Sequence, residues 1–267
     1  MRRITTPALA FAAGCLTLAS AVLATPLPDG AVLHLRVFND CPVSVLNTTN
    51  SFPGSIVIDD QNSVAPFCVG FANLHTWHFT AGGVDSVFSN GDAFGYSCTL
   101  VLNGVGEGGL SLSPWFSPNA DGLFNCRTTD GEIACFGGRL PFFTFTGAFG
   151  LHYVNNTPIQ LGITYVPNGL SSVSPAQILY TVRYNSINYS SGLLDFNDGF
   201  NPTDPAYHFA GGTFGALTPW YAGGHMKMFL PTGVPHGITG TWSDIQFTTA
   251  PVSTAKTTWG KLKQLYR

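Results

Sequence analysis

The chain has 267 residues, of which 45% are hydrophobic and only 9% charged, with 31 glycines, 18 prolines and 21 phenylalanines. That many aromatics at so little charge exclude a disordered chain, and the length suits one sandwich or barrel domain. Residues 25–250 hold all 14 acids against five bases, a net charge of −9, and an acidic body argues against a nucleic-acid partner because phosphates are repelled.

At the N-terminus, Arg2 and Arg3 precede an apolar run over 7–24 that closes on Val22-Leu23-Ala24. This is the pattern of a cleaved secretory signal peptide, and Gly14 with the flanking Pro7 and Pro26 disfavours a spanning helix. Gly14-Cys15 also permits a lipoprotein reading, ranked second because the apolar run continues past Cys15. No later segment is long and apolar enough to span a bilayer. The expected division is a signal peptide (1–24), one domain (25–250) and a basic tail (251–267), with a product secreted or held at the cell surface and no transmembrane span in the mature chain.

The body contains no long run of helical period. Short apolar or alternating runs recur instead, bounded by Gly, Pro, Asn and Asp. They predict strands at 32–38, 55–59, 74–80, 94–102, 109–113, 123–128 and 132–136. Further strands follow at 142–146, 150–154, 158–166, 177–185, 212–217, 225–230 and 241–248. Many short strands with close turns predict an all-β fold, a sandwich or barrel.

Five cysteines follow the signal segment, none in a CxxC spacing, so zinc knuckles are unfavoured and disulfides are the default in an oxidising compartment. Asp130-Gly131 reads as a two-residue hairpin turn, which sets Cys126 opposite Cys135 at a non-hydrogen-bonded pair and predicts a cross-strand bridge. Cys41–Cys68 is the next pairing, leaving Cys98 as a buried thiol. No basic neighbour is present to activate Cys98 as a nucleophile.

The segment Gln160-Leu-Gly-Ile-Thr-Tyr-Val-Pro-Asn-Gly, then Ile178-Leu-Tyr-Thr-Val-Arg-Tyr-Asn and Tyr189-Ser-Ser-Gly, resembles the paired central strands of concanavalin A-like (laminin G-like) jelly rolls. The closing Thr241-Trp-Ser-Asp-Ile-Gln-Phe-Thr is similar to the last strand of such domains, which pairs near the first. The resemblance implies a two-sheet antiparallel β-sandwich of jelly-roll type whose concave sheet carries the 160–192 segment. The retaining-glucanase signature of that superfamily, two Glu and an Asp alternating on one strand, is absent.

Candidate chemistry is sparse. Glu107 and Glu132 are the only glutamates and the only candidate acid/base pair; Glu132 sits beside a turn and Glu107 in a Gly-rich loop. Asp195, Asn197, Asp198, Asn201 and Asp204 form an oxygen-rich loop that suits structural calcium, although the same residues serve ordinary turns. No other cofactor is implied. His75 and His78, three apart, fall on opposite faces of a strand, and the histidines read as core or surface residues. Trp115-Phe116 and Trp220-Tyr221 flank Pro or Gly, and with Arg139 they could stack on and hydrogen-bond a sugar, or they could simply plug the ends of the core.

The tail 251–267 carries four bases and no acid, and resembles short endings seen on unrelated secreted bacterial proteins. The leading functional reading is a non-catalytic secreted or surface-associated module, directed at an extracellular glycan. The alternative is a carbohydrate-active hydrolase or lyase on the same scaffold, and a structural exoprotein stands third.

Overall fold

The computed structural model describes residues 27–63, 67–117, 120–137, 140–196, 221–231 and 235–249, with the backbone alone for 113–117 and 120. The strands of the first half are β1 (Gly30–His34), β2 (Val45–Ser51), β3 (Ser55–Asn62), β4 (Gly70–Ala81), β5 (Val84–Asp85), β6 (Phe94–Gly104) and β7 (Gly106–Ser117). They are followed by β8 (Ala120–Arg127), β9 (Ile133–Phe136), β10 (Phe143–Thr144) and one short helix, α1 (Phe145–Phe149). The chain continues with β11 (Ile159–Val166), β12 (Gln177–Tyr184), β13 (Ile187–Asp195), β14 (Ala222–Leu230) and β15 (His236–Thr249).

These strands build two antiparallel sheets. Sheet I runs β1-β4-β14-β7-β8-β9-β10, with β5 paired to β4, and sheet II runs β13-β12-β11-β6-β15-β3-β2. The chain passes back and forth between the sheets, as from β1 to β2, β3 to β4 and β14 to β15, and the result is a two-sheet antiparallel β-sandwich. No helix among the described residues is long and apolar enough to cross a membrane.

Alternation of side chains makes the core. In β12, Ile178, Tyr180, Val182 and Tyr184 are buried while the residues between them are not. Sheet I contributes Trp77, Phe79, Leu110, Leu112, Phe124, Met226 and Met228 from the opposite side. Each fully buried large side chain is worth about 1.5–3 kcal/mol. At the centre, Trp77 of sheet I meets Trp242 of sheet II edge to face, ring centroids 6.3 Å apart, and Trp242 Nε1 donates to the Gly109 carbonyl at 2.9 Å. Gly224 lies beneath both indoles: a Cβ there would fall 2.3 Å from Trp77 Nε1 and 2.8 Å from Trp242 Nε1.

Several local expectations are corrected. Strands β2 and β13 lie at the two edges of sheet II, are largely exposed, and lack the alternation that marks a half-buried strand. The 142–146 segment splits into β10 and α1, because the Thr144 side chain accepts from Gly147 N–H as an N-cap and Gly150 closes the helix in the left-handed region at φ 64°. Residues 150–154 form no strand, and 212–217 lie outside the described residues. The last strand, β15, sits between β6 and β3, whereas β1 belongs to the other sheet.

The Cys126–Cys135 bridge is not formed; Cys126, Cys135 and Cys98 are buried free thiols, while Cys41 and Cys68 are joined. The hairpin register is the cause. A two-residue type I′ turn needs positive φ at both central residues, but of Asp130 and Gly131 only Gly131 has it. Arg127 N–H instead donates to Glu132 C=O, a four-residue loop intervenes, and Cys126 pairs with Ile133 while Cys135 pairs with Phe124. The cysteines become diagonal neighbours, whose Cα separation of about 7–8 Å exceeds ordinary disulfide reach.

Two outcomes follow from this packing. Cys98, Cys126 and Cys135, whose thiol pKa values burial pushes up, should resist alkylation in the native protein and label on unfolding without reductant, while peptides carrying Cys41 and Cys68 stay linked. Recovery of a linked Cys126–Cys135 peptide would refute the register. Gly224→Ala should cost about 1–3 kcal/mol by overpacking, read as a lower urea midpoint, and a double-mutant cycle with Trp77→Phe should show part of that cost relieved.

Candidate functional site

The residues of sheet I that do not face the core form a polar set. Thr76, His78 and Thr80 alternate with Trp77 and Phe79 on β4; Glu107 and Ser111 alternate with Leu110 and Leu112 on β7; Asn125 and His225 take the corresponding places on β8 and β14. All of these are buried although they point away from the core. Paired register aligns them in rows: His34 of β1 opposes Thr76, Thr76 opposes His225, and His225 opposes Gly109, which opposes Asn125.

One end of this face opens as a cleft of about 470 Å³, lined by His34, Thr76, His78, Asp85 and Tyr221 with Leu35 and Val37. Asp85 stands on β5, opposite Thr80, and so shares the face of His78. Its carboxylate accepts from His34 Nε2 at 3.0 Å and lies 3.5 Å from His78 Nδ1. On the other side of the same ring, His78 Nε2 donates to Asp121 Oδ2 at 2.7 Å. Asp121 lies on β8, in the stretch where the β7–β8 register slips at Leu112/Pro114. Strands β14 and β7 intervene, and the β14 partner of His78 is Gly223, which has no side chain to interpose. The Tyr221 ring stacks on His78, centroids 5.1 Å apart and planes within 13°.

The electrostatics follow from these contacts. Burial by itself lowers the His78 pKa, but hydrogen bonds to Asp121 and Asp85 outweigh it and hold the value up at about 9. Burial raises the Asp85 pKa, and its bonds to His78 and His34 reverse that and hold the carboxyl below its usual range. Two buried atoms at this end, Thr76 Oγ1 and Asp121 Oδ1, have no hydrogen-bond partner. His34, His78 and Asp85 each present a ligand-type atom, all within 4.8 Å of one another, and are the one such group that could hold a metal ion among the described residues.

A second polar cluster occupies the other end of the face. Glu107 lies in strand β7, not in a loop as its glycine-rich surroundings suggested, and its carboxylate takes Lys227 Nζ at 2.7 Å, Asn125 Nδ2 at 2.9 Å and Arg127 Nε at 3.4 Å. Burial raises its pKa, and Lys227 with Asn125 overcomes this and holds it below the usual carboxylate range. Glu132 binds the same Arg127, at 2.9 Å from the guanidinium. The two glutamates therefore share a cation. A third polar cluster, Asp60, His75, Asn73 and Ser44, lies buried beside Cys41.

Of the residues marked in the sequence as sugar contacts, Tyr221 lies in the cleft. Trp115 and Phe116 belong to β7 with their side chains outside the described residues, as are Arg139 and Trp220. Asp195 ends β13 and accepts from Gln177 Nε2 at 2.7 Å; Asn197, Asp198, Asn201 and Asp204 lie outside the described residues. His34 and Asp85 were not singled out by sequence; His78 was weighed with His75 and read as a core or surface residue, and Asp121 was read as a polar neighbour of the Trp115–Phe116 aromatics, since the four come together only through the pairing of separate strands. The only local signal was His78 itself, on the face of its strand opposite His75. The outer face of sheet II carries a shallower groove of about 440 Å³ along Gln160, Thr181, Arg183, Asn188 and Gln246.

No known protein family matches the chain, and no curated protein matches it. Among solved structures it is similar to a protein of unknown function from Saccharomyces cerevisiae, at 10% identity, TM-score 0.40, covering 78% of this chain and 97% of that one. It is also similar to a Lotus tetragonolobus seed lectin, at 8% identity, TM-score 0.39, covering 85% and 97%. A family 7 alginate lyase overlaps at 6% identity, TM-score 0.38, covering 76% and 82%.

The raised His78 pKa has a consequence for stability. The folded state binds this proton more tightly than the unfolded state, whose value is about 6.5, so the stabilisation is fully present below 6.5 and is lost as pH rises through about 9. The shift corresponds to on the order of 3 kcal/mol. In EDTA-containing buffer, wild type should lose stability between pH 6 and pH 10 relative to Asp121→Asn, which removes the main partner. Equal slopes for the two proteins would show that the His78–Asp121 bond does not govern this proton.

Proposed function

We propose that the protein is an exported, non-catalytic binding module that seats a glycan in the cleft on the outer face of sheet I. The observation that carries this reading is the composition of that cleft: the flat ring of Tyr221 stacked on His78, beside the His34–Asp85 pair and the buried, unpartnered hydroxyl of Thr76. A sugar offers a ring of C–H groups for an aromatic face and hydroxyls that both donate and accept, and a preformed sheet supplies their partners without ordering cost.

Binding is favoured over hydrolysis by the state of the carboxylates. A glycosidase acid needs a raised pKa, whereas Glu107 is held low by Lys227 and Glu132 is occupied by Arg127. Asp85 and Asp121 both accept from His78. Export is supported by the N-terminal Arg2-Arg3 and apolar pattern and by the Cys41–Cys68 disulfide, a bond that persists in oxidising compartments.

A glycan array on the full chain, paired with a screen for released reducing ends and unsaturated products, tests this. A bound glycan should lose at least tenfold in affinity, about 1.4 kcal/mol, with Tyr221→Ala, and be unaffected by Arg183→Ala in the sheet II groove. The opposite pattern would move the seat to sheet II, and catalytic release of product would replace the binding module by an enzyme.

A further inference from the structure

We infer that His34, His78 and Asp85 form a three-ligand site for a divalent transition metal of the zinc class, with Asp121 as the outer carboxylate that orients His78. This site stands independently of whether the cleft takes a glycan.

The backbone already gathers the three ligands. His34 ends β1 opposite Thr76, His78 lies two residues further along β4, and Asp85 is held beside them by the β4–β5 pairing. Ligands at zinc's usual 2.0–2.1 Å, arranged tetrahedrally, stand ~3.3–3.5 Å from one another. Asp85 Oδ1 is 3.0 Å from His34 Nε2 and Asp85 Oδ2 is 3.5 Å from His78 Nδ1, so the carboxylate presents one oxygen to each imidazole. Every ligand atom lies inside 4.8 Å of the others, and His34, whose side chain is 38% exposed, is the ligand whose adjustment would draw the three to tetrahedral spacing.

The second shell is what separates this group from a chance cluster. Metal-bound imidazoles commonly donate their other N–H to a carboxylate, which fixes the tautomer and aims the lone pair. Asp121 takes that position: it accepts from His78 Nε2 at 2.7 Å, so that Nδ1, which faces Asp85, supplies the lone pair once a metal displaces its proton. Asp121 is itself buried, and its described partner is His78. Asp85 and Asp121 together offer two negative charges, and their described partners are the two histidines, so a dication that displaces the His78 proton balances the group.

Two imidazoles and one carboxylate are a borderline-soft set, which suits Zn²⁺, Co²⁺, Ni²⁺ or Cu²⁺ in place of the all-oxygen shells that Ca²⁺ and Mg²⁺ take. Three protein ligands leave a fourth position open, and all three of them line the cleft. Thr76 Oγ1, fully buried, lining the same cleft and without a partner, is a group that a metal-bound water or ligand there would satisfy. The open position would take a hydroxyl or carboxylate oxygen of whatever the cleft binds.

The test is titration of the EDTA-stripped full chain with Zn²⁺ by calorimetry, with Co²⁺ absorption as a geometric readout and Ca²⁺ as the competing metal. One Zn²⁺ per chain should bind with sub-micromolar affinity, Co²⁺ should give the visible bands of a four- or five-coordinate site, and Ca²⁺ should not compete. His34→Ala should weaken Zn²⁺ at least tenfold, and Asp121→Asn ten- to a hundredfold, with His152→Ala, a surface histidine elsewhere, leaving binding intact. Half-exposed His34 keeps the test valid if an Asp85 variant fails to fold, and a melting curve on each variant reports that directly. Zinc binding that survives His34→Ala, falls with His152→Ala, or is absent from well-folded wild type would overturn the site.

Discussion

The edge-to-face contact of Trp77 with Trp242 sets the rest of the structure, including the face on which the cleft lies. Two indoles from opposite sheets can meet across β14 only if the strand beneath them carries no side chain, which is the position of Gly224. Because side chains alternate along a strand, fixing Gly224 inward fixes Gly223 and His225 outward, and fixing Trp77 inward fixes Thr76 and His78 outward. The hydrogen bond from Trp242 to the Gly109 carbonyl does the same for β7. The polar face is thus the complement of the core, and a one-residue slip in β4 or β14 would exchange the two.

This dependence explains which parts of the fold could be seen in the sequence. Strands with one face against the core, such as β3, β6, β11, β12 and β15, show their alternation and were legible. The edge strands β2 and β13 bury little, so nothing forces apolar residues into alternate positions, and Val45-Leu-Asn-Thr-Thr-Asn-Ser reads as loop. Strand β7 was truncated for a different reason. Its Gly106-Glu-Gly-Gly looks like a flexible link, yet the glycines are demanded by close backbone approach: a Cβ on Gly109 would fall 1.8 Å from the Phe124 carbonyl oxygen. Glycine there records packing, and the mistaken loop carried Glu107 into the wrong setting.

The hairpin at Asp130-Gly131 shows a limit of local turn rules. The dipeptide does make the turn, but Asp130 uses its own carboxylate to accept from Glu132 N–H and to bind Arg127, and the loop lengthens to accommodate both. The side-chain chemistry of Arg127, which also reaches Glu107 and Glu132, outweighed the preference for a two-residue turn. A shift of two residues changes the pairing but keeps Cys126 and Cys135 on the inward face, where both are buried. The cleft histidines were harder still, because their proximity is produced by register among β1, β4 and β5 and by no pattern within any one segment.

The distribution of unsatisfied polar atoms separates the cleft from the other polar clusters. An unpartnered buried group costs about 1–3 kcal/mol, and a structure without a use for it would be expected to pair it. The Glu107 cluster is fully matched, with both carboxylate oxygens bound to Lys227, Asn125 and Arg127. The Asp60 cluster keeps Asp60 Oδ1 unpaired, but it is sealed between the sheets beside the Cys41–Cys68 disulfide, where three other groups fix it in place. Thr76 is different: its free hydroxyl lines the open cleft beside His34, His78 and Asp85, whereas the unpartnered Asp121 Oδ1 and Ser111 Oγ are buried in the same outward face. An unpaired polar atom at a solvent-connected concavity can take a partner from outside the chain, and Thr76 Oγ1 is such an atom at the His34–Asp85–His78 end of sheet I.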